Sequence, residues 1–353
     1  MTSLERFNRA MNFREADRVP RFISSFWSDF LSAWQKRHGA LDPQEYCATD
    51  LAVVVADETA WPTRAGVVEK GCGEWVQRTG WGVLERRVHG AEFGQMLEYG
   101  IAGRSDPEQL TFDDPGLASR YERAGAQADA LRDEYYVLCK TGGPYLRAAM
   151  MRGEQNFWLD VAEDPDWTRA FVDRVSEHIT AVGVESLQRF GLQETGIAIY
   201  DDVAASWGPF VSPQAYEDIF LPALRRMVGA YREAGAAVVM HHADGNVLPL
   251  LDMWVDAGID AINPVEYRAG MDPVKIRERY GEKLVCVGGL DNVEILPRGD
   301  REEVREHVRY LLQAGRGGGF IIAPHSIGPD ISVETIEYVI EILDEYGTYG
   351  DVK

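Results

Sequence analysis

Eight short apolar runs punctuate the chain, at residues 19–26, 51–56, 135–140, 196–200, 236–241, 260–264, 283–288 and 319–323. Each has the length of a strand buried on both faces, and amphipathic helical patterns, such as those at 213–234 and 301–314, lie between most of them. Buried strands alternating with helices build βαβ units on a parallel sheet. Eight such units, with about 250 residues of core plus insertions, predict an α/β fold of the (β/α)8 TIM-barrel type. The pattern at 213–234 stops before Gly235, a helix C-terminal signal. An open doubly wound sheet is the competing arrangement, but no Gly-x-Gly-x-x-Gly follows an early run and there is no P-loop sequence.

Residues 1–353 read as a single barrel domain with an insertion between strands 2 and 3, at about 61–133. There Glu74-Trp75-Val76-Gln77-Arg78 and Gly82-Val83-Leu84-Glu85-Arg86 flank Thr79-Gly80-Trp81 as a hairpin would. Residues 93–101 suggest a further strand, and 104–116 a loop leading to a helix near 116–133. An insertion of this kind shapes access to a catalytic face, or is an outer ribbon without a role.

Charge narrows the function classes. Lys plus Arg is 36 and Asp plus Glu is 57, a formal charge of −21, which argues against general affinity for nucleic acid or anionic membranes. No apolar run approaches the roughly 18 residues of a membrane span. The opening Met1-Thr2-Ser3-Leu4-Glu5-Arg6 lacks the regions of a signal peptide, and Cys47, Cys72, Cys139 and Cys286 are scattered. A cytoplasmic enzyme is expected.

In an α/β barrel the C-terminal ends of the strands face the active-site mouth. The fifth run ends in His241-His242-Ala243-Asp244-Gly245 and the eighth in Pro324-His325, so three of the seven histidines fall at strand ends. The other runs end near Ser24, Ser25 and Trp27; Asp57 and Glu58; Thr141, Gly142, Gly143 and Tyr145; Tyr200, Asp201 and Asp202; Asn263 and Glu266; and Gly289 and Asp291. Each taken alone has a bland explanation: Asp201 and Asp202 as helix caps, Asp244-Gly245 and Asp291-Asn292 as turns. Residues i and i+2 of a strand point to one side, so His242 and Asp244 can reach one ion while His241 points away, into the barrel wall or a second layer around the ion. His242, Asp244 and His325 are therefore the metal candidates, with Glu266 or Asp202 as a further ligand. The ion is zinc or another divalent metal.

At these residues the chain resembles the uroporphyrinogen decarboxylase superfamily, a (β/α)8 barrel family that contains the decarboxylases of tetrapyrrole synthesis and cobamide-dependent methyltransferases. The resemblance is clear over 130–345. It is carried by Ser206-Trp207-Gly208-Pro209-Phe210-Val211-Ser212-Pro213-Gln214-Ala215-Tyr216, His242-Ala243-Asp244-Gly245-Asn246, Gly288-Gly289-Leu290-Asp291 and His325-Ser326-Ile327-Gly328-Pro329-Asp330. The opening Glu5-Arg6-Phe7-Asn8-Arg9-Ala10 and Asp17-Arg18-Val19-Pro20 are similar to the start of many members. True decarboxylases carry the signature Pro-x-Trp-x-Met-Arg-Gln-Ala-Gly-Arg near the N-terminus. Here the matching stretch is Val19-Pro20-Arg21-Phe22-Ile23-Ser24-Ser25-Phe26-Trp27, without either signature arginine at its place. Thiol-methylating members hold zinc with His-x-Cys and a distant Cys; the corresponding residues here are His242-x-Asp244 and His325.

The resemblance, with these harder ligands, implies a zinc-dependent methyltransferase that moves a methyl group between a small O- or N-methylated substrate and a cobamide. The expected partners are that substrate, a separate corrinoid protein and, left open, a second copy of the chain in a homodimer. Tyr145, Asp202 and Glu266 are expected to orient substrate or handle protons. Gly142, Gly143, Gly289 and Asp291 are expected to border the corrinoid, where glycine lets backbone approach a large ligand. Trp27, Trp34, Trp61 and Trp81 are candidates to line a pocket for an aromatic methyl ether. Two alternatives stand beside this: a metal-free decarboxylase-like lyase using Asp57, Tyr145 and His325 on a pyrrole-type carboxylate, and a non-catalytic barrel that binds a corrinoid or other ligand.

Overall fold

A computed structural model describes residues 1–91 and 94–349. Seven strands form one parallel ladder: β2 (Leu51–Val55), β3 (Tyr136–Gly142), β4 (Ile197–Tyr200), β5 (Val239–His242), β6 (Ala261–Asn263), β7 (Val285–Gly289) and β8 (Phe320–Ala323), each bonded to the next. They coincide with the seven later apolar runs. The first run departs from the expectation of a regular strand. Only β1 (Ser25–Phe26) pairs as a strand, and it pairs with Ser326–Ile327 beyond the end of β8. Pro20 in the first run and Pro324 after β8 have no N–H to give to a ladder. Closure rests instead on single bonds: Ile322 N to the Pro20 carbonyl (2.9 Å), Phe22 N to the Ile322 carbonyl (3.0 Å) and, across the seam to β2, Asp50 N to the Arg21 carbonyl (2.8 Å).

Each strand is followed by a helix that covers the outside of the sheet, among them Ser28–His38 after β1, Pro165–Phe190 after β3 and Val333–Tyr346 after β8. The apolar side chains accordingly sort into two layers. One lies between sheet and helices; the other fills the lumen with Leu51, Leu138, Ala198, Met240, Ala261, Val287 and Ile321. Phe7 and Ala10 of the helix Ser3–Met11 plug the N-terminal end of that lumen, Phe7 stacking on Tyr136 at 4.3 Å. A capping box between Thr2 and Glu5 starts this helix. The pattern at 213–234 is one expectation that needs refinement. It contains a π-helical turn, Tyr216–Phe220, before the α-helix Leu221–Glu233 that stops at Gly235.

Between β2 and β3 lies an antiparallel sheet of Gly66–Lys70, Glu74–Arg78, Leu84–Val88 and Gln95–Glu98, then the helix Glu122–Leu131. The second hairpin strand runs two residues later than the sequence suggests, because Thr79 N bonds the Val83 carbonyl and Gly82 is spent in the turn. Phe93, where a further strand was expected to begin, lies outside the described residues. The hairpin tip reaches the barrel mouth: the Arg147 guanidinium after β3 lies 5.5 Å over the Trp81 ring, and Arg147 pairs with Glu58 at the end of β2. Among the described residues, no helix is long and apolar enough to cross a membrane.

Candidate active site

The parallel ladder sets the site. Its register places Tyr200 of β4 beside His242 of β5, and His242 beside Asn263 of β6. Because side chains alternate, these three share the lumen face with Ala198, Met240 and Ala261 below them. His241 takes the other face, fully buried with its ring stacked on Trp254 at 3.9 Å. Neither of its nitrogens has a hydrogen-bond partner, and burial drives its pKa down to about 3. Of the two places its position in the run allows, it takes the wall.

His242, Asp244 and His325 come together: one ligand atom from each lies within 4.8 Å of the other two. His242 Nε2 is 3.5 Å and His325 Nε2 3.3 Å from Asp244 Oδ1. The hydrogen-bond network fixes the tautomer of His242. Asn263 Nδ2 donates to the Val287 carbonyl at 3.0 Å, so Asn263 Oδ1 faces His242 Nδ1 at 2.6 Å and accepts its proton. In the neutral ring Nε2 then carries the lone pair and faces the cluster, the arrangement that metal-binding histidines use. Tyr200 holds the ring from the side, stacked at 4.0 Å and 6°.

Charges around this point explain the titration of its members. Burial pulls His325 below the ordinary histidine value, so a neutral imidazole stands next to Asp244 at neutral pH. Burial alone would raise Asp244, but the two imidazoles that face it, His242 first and then His325, outweigh burial and lower it. Glu266 faces the same cluster. Burial and then the Asp244 charge raise its pKa above the usual carboxylate range. Asp202 lies at the edge, its Oδ1 3.8 Å from His242 Nε2 and accepting from Asp244 N at 3.1 Å. Of the expected catalytic set, the structure thus brings Asp202 and Glu266 to the cluster.

Tyr145 is not with them. Its hydroxyl accepts from the Trp158 indole at 2.7 Å, and Phe157, Phe210 and Phe220 enclose its ring. Asp57 is likewise spent on a turn, accepting from Thr59 N and Thr59 Oγ1, so the Asp57, Tyr145, His325 trio of the lyase reading is not assembled. The residues expected to border a corrinoid have packing and capping roles. A Cβ on Gly142 would meet Arg147 at 2.2 Å, one on Gly143 would meet Asp201 at 2.4 Å, and Gly289 faces Leu311 and Pro273 at 3.1 Å. These glycines make room for neighbouring side chains. Asp291 is buried, accepts from Val293 N and Glu294 N and pairs with Arg268. Trp34, Trp61 and Trp81 are buried, Trp34 bonding the Leu41 carbonyl and Trp61 the Thr111 carbonyl; Trp27 alone of the four is exposed. Asp201 caps the helix before it, accepting from Leu146 N at 2.6 Å, not the one after it.

One residue of the mouth escaped the reading of strand ends. Lys140 of β3 is half-buried, with its ammonium 3.8 Å from the centroid of the Tyr200 ring. Burial and the Arg147 charge hold it below the ordinary lysine value. Its signal was present in the alternation Tyr136, Leu138, Lys140, whose first two members face the lumen.

A parallel barrel with a His/carboxylate cluster at its strand ends defines a barrel of the enzyme type, with the chemistry at the C-terminal face. Its sequence identifies the particular family. The profile described as Uroporphyrinogen decarboxylase (URO-D) matches residues 97–346, and the chain belongs to that family. It is 25% identical over 273 residues to a uroporphyrinogen decarboxylase of Myxococcus xanthus, spanning 72% of this chain and 74% of that one. It is also 25% identical over 226 residues to a methylated-thiol–coenzyme M methyltransferase of Methanosarcina mazei, spanning 60% of this chain and 55% of the relative. Among solved structures, a methyltransferase from Methanosarcina mazei superposes with a TM-score of 0.69 at 17% identity, covering 98% of this chain and 99% of that one. That likeness establishes the fold.

Proposed function

We propose that this chain is a metal-dependent methyltransferase that moves a methyl group from the oxygen or nitrogen of a small substrate to a cobamide carried by a separate corrinoid protein. The observation that carries the reading is Asp244 Oδ1. It is buried, without a hydrogen-bond partner, and set between two imidazole Nε2 atoms. An unsatisfied buried acceptor is costly unless something pairs with it, and burial of His325 argues against an imidazolium in that role. Two imidazoles and a carboxylate are a donor set that fits zinc or another divalent ion, with a position left open. Such an ion supplies, when bound, Lewis acidity toward the heteroatom bearing the methyl group, and this nitrogen and oxygen set matches oxygen or nitrogen better than thiolate.

The chain's own residues do the rest. Asn263 takes the hydrogen bond from His242 Nδ1 so that Nε2 is the nitrogen aimed at the cluster, and Tyr200 keeps the ring in plane. Glu266 keeps a proton to higher pH than an ordinary carboxylate and is the group placed to give one to the heteroatom as the methyl departs. Asp202 orients the loop through Asp244 N. Methyl transfer is supported by the methylated-thiol relative's named activity. Decarboxylation of a polycarboxylate is not favoured: Arg21, the arginine of the first run, is buried and pairs with Asp344 at 2.6 Å. The test mixes the protein with cob(I)alamin and a panel of methoxylated aromatics and methylamines. Methylcobalamin, read by its absorption, is expected. No transfer from any donor, alongside release of CO₂ from a carboxylated substrate, overturns the reading.

A further inference from the structure

We propose that Lys140 is an anion anchor, and that the methylated substrate carries a carboxylate about one aromatic ring away from the group that bears the methyl. This rests on the methyltransferase reading for the identity of the second group, but the anchor itself stands on its own geometry.

Among the described residues, Lys140 stands on the lumen face without a carboxylate in direct contact. Arg147, its neighbour across the mouth, is committed to Glu58 by contacts of 2.5 and 2.6 Å. Among the described residues, no carboxylate lies within 4.0 Å of the Lys140 ammonium and no acceptor within hydrogen-bonding distance. A half-buried ammonium loses hydration and regains it only in part from the face of an aromatic ring. Glu58 and Asp202 act on it only from beyond contact distance, and in a chain of formal charge −21, leaving such a group without a directly paired carboxylate is a specific placement. An incoming carboxylate supplies the missing partner.

Position gives the length of the ligand. His242 covers one face of Tyr200 at 4.0 Å between centroids, so the ammonium at 3.8 Å from that ring occupies the other face. One aromatic ring therefore separates the cation from the imidazole that belongs to the His/Asp cluster. A cavity of about 280 Å³ opens along the weakly bonded seam between the first run and β2, reaching the Tyr200 ring and lined also by Phe22, Ser24, Asp42, Leu51 and Val53. Val53 and Tyr200 lie on the strands flanking β3, with Lys140 between them. A planar, monoanionic molecule with its carboxylate at one end and its methylated oxygen or nitrogen at the other matches this spacing.

The experiment is calorimetric titration of the full-length protein with 4-methoxybenzoate and with its uncharged counterpart, 4-methoxybenzamide, each with and without a chelator. Wild type is expected to prefer the acid by about tenfold or more, the scale of a charge-assisted hydrogen bond. Lys140→Met is expected to lose that preference while binding the amide as before, and Lys140→Arg to keep most of it. The acid and amide comparison on wild type and on Lys140→Arg holds even if Lys140→Met fails to fold. Equal binding of acid and amide by wild type, or no binding of either, overturns the proposal. So does a preference that persists in Lys140→Met. A preference that vanishes with chelation assigns the carboxylate to the metal, which overturns the anchor and leaves the methyltransferase reading standing. Protein that binds no metal yet keeps a Lys140-dependent preference sinks the methyltransferase reading and leaves the anchor.

Discussion

Replacing Asn263 with Ala tests whether the second partner of His242 is what makes it a ligand. The side chain is 3% exposed and makes two hydrogen bonds, 2.6 Å to His242 Nδ1 and 3.0 Å to the Val287 carbonyl. Truncation leaves both of those groups buried and unpaired, which costs about 1–3 kcal/mol of stability. It also frees the imidazole to place its proton on either nitrogen, and losing such a partner typically weakens metal binding by about 10- to 100-fold. In free energy that is roughly 1.4–2.8 kcal/mol. Zinc affinity is measured by competition with a chromophoric chelator, and stability by urea unfolding of the same samples with the metal removed. The account requires both to fall, with the fold retained. Unchanged zinc affinity in a folded Asn263→Ala protein refutes the claim that this contact aims Nε2.

Three further outcomes are expected. His241 is neutral in the folded protein, its pKa held near 3 by burial against 6.5 when unfolded, so the unfolded chain binds more protons between those values. Stability present above pH 6.5 is therefore lost as pH falls toward 3, by an amount on the order of a few kcal/mol, and His241→Phe should flatten this acid limb in pH-dependent unfolding. An unchanged slope would count against a buried neutral His241. Asp291→Ala removes a buried cap and the Arg268 ion pair, and should cost about 1–3 kcal/mol in thermal or urea melts while leaving metal content intact. Loss of metal from that variant would contradict a capping role confined to Asp291's own turn. Gly288 has φ +145° and a Cβ there would lie 1.3 Å from the Pro264 carbonyl, so Gly288→Ala should cost more than about 4 kcal/mol or fail to fold; near-normal yield and melting would contradict the close approach.

The later barrel strands were legible because a strand buried on both faces has to be an unbroken apolar run, and Leu51–Val55 or Phe320–Ala323 can hardly be anything else. The first strand was only half legible: its apolar pattern survives, but Pro20 removes the donor that regular pairing needs. His242, Asp244 and His325 could be found because polar groups ending apolar runs have few packing explanations. Lys140 was missed because a lysine closing a run looks like a solvated strand end, and only alternation with Leu138 places it inside. Tyr145 and Asp291 misled for the opposite reason. Both follow a strand end, but the chain has already turned into a helix or cap, and Trp158 and Arg268 claim their polar atoms. Glycines after a strand were equally ambiguous, since sequence does not show that Arg147 and Asp201 fill the space beside Gly142 and Gly143.

The central claim is that His242, Asp244 and His325 form one metal site. Elemental analysis of wild-type protein and of His242→Ala, both dialysed against zinc and then against buffer, tests it most directly. The account predicts about one zinc per chain in wild type, held at ligand distances near 2.0–2.2 Å by X-ray absorption, and its loss from a His242→Ala protein that remains folded. Folded wild type that retains no metal, or a His242→Ala variant that retains the full complement, would contradict it.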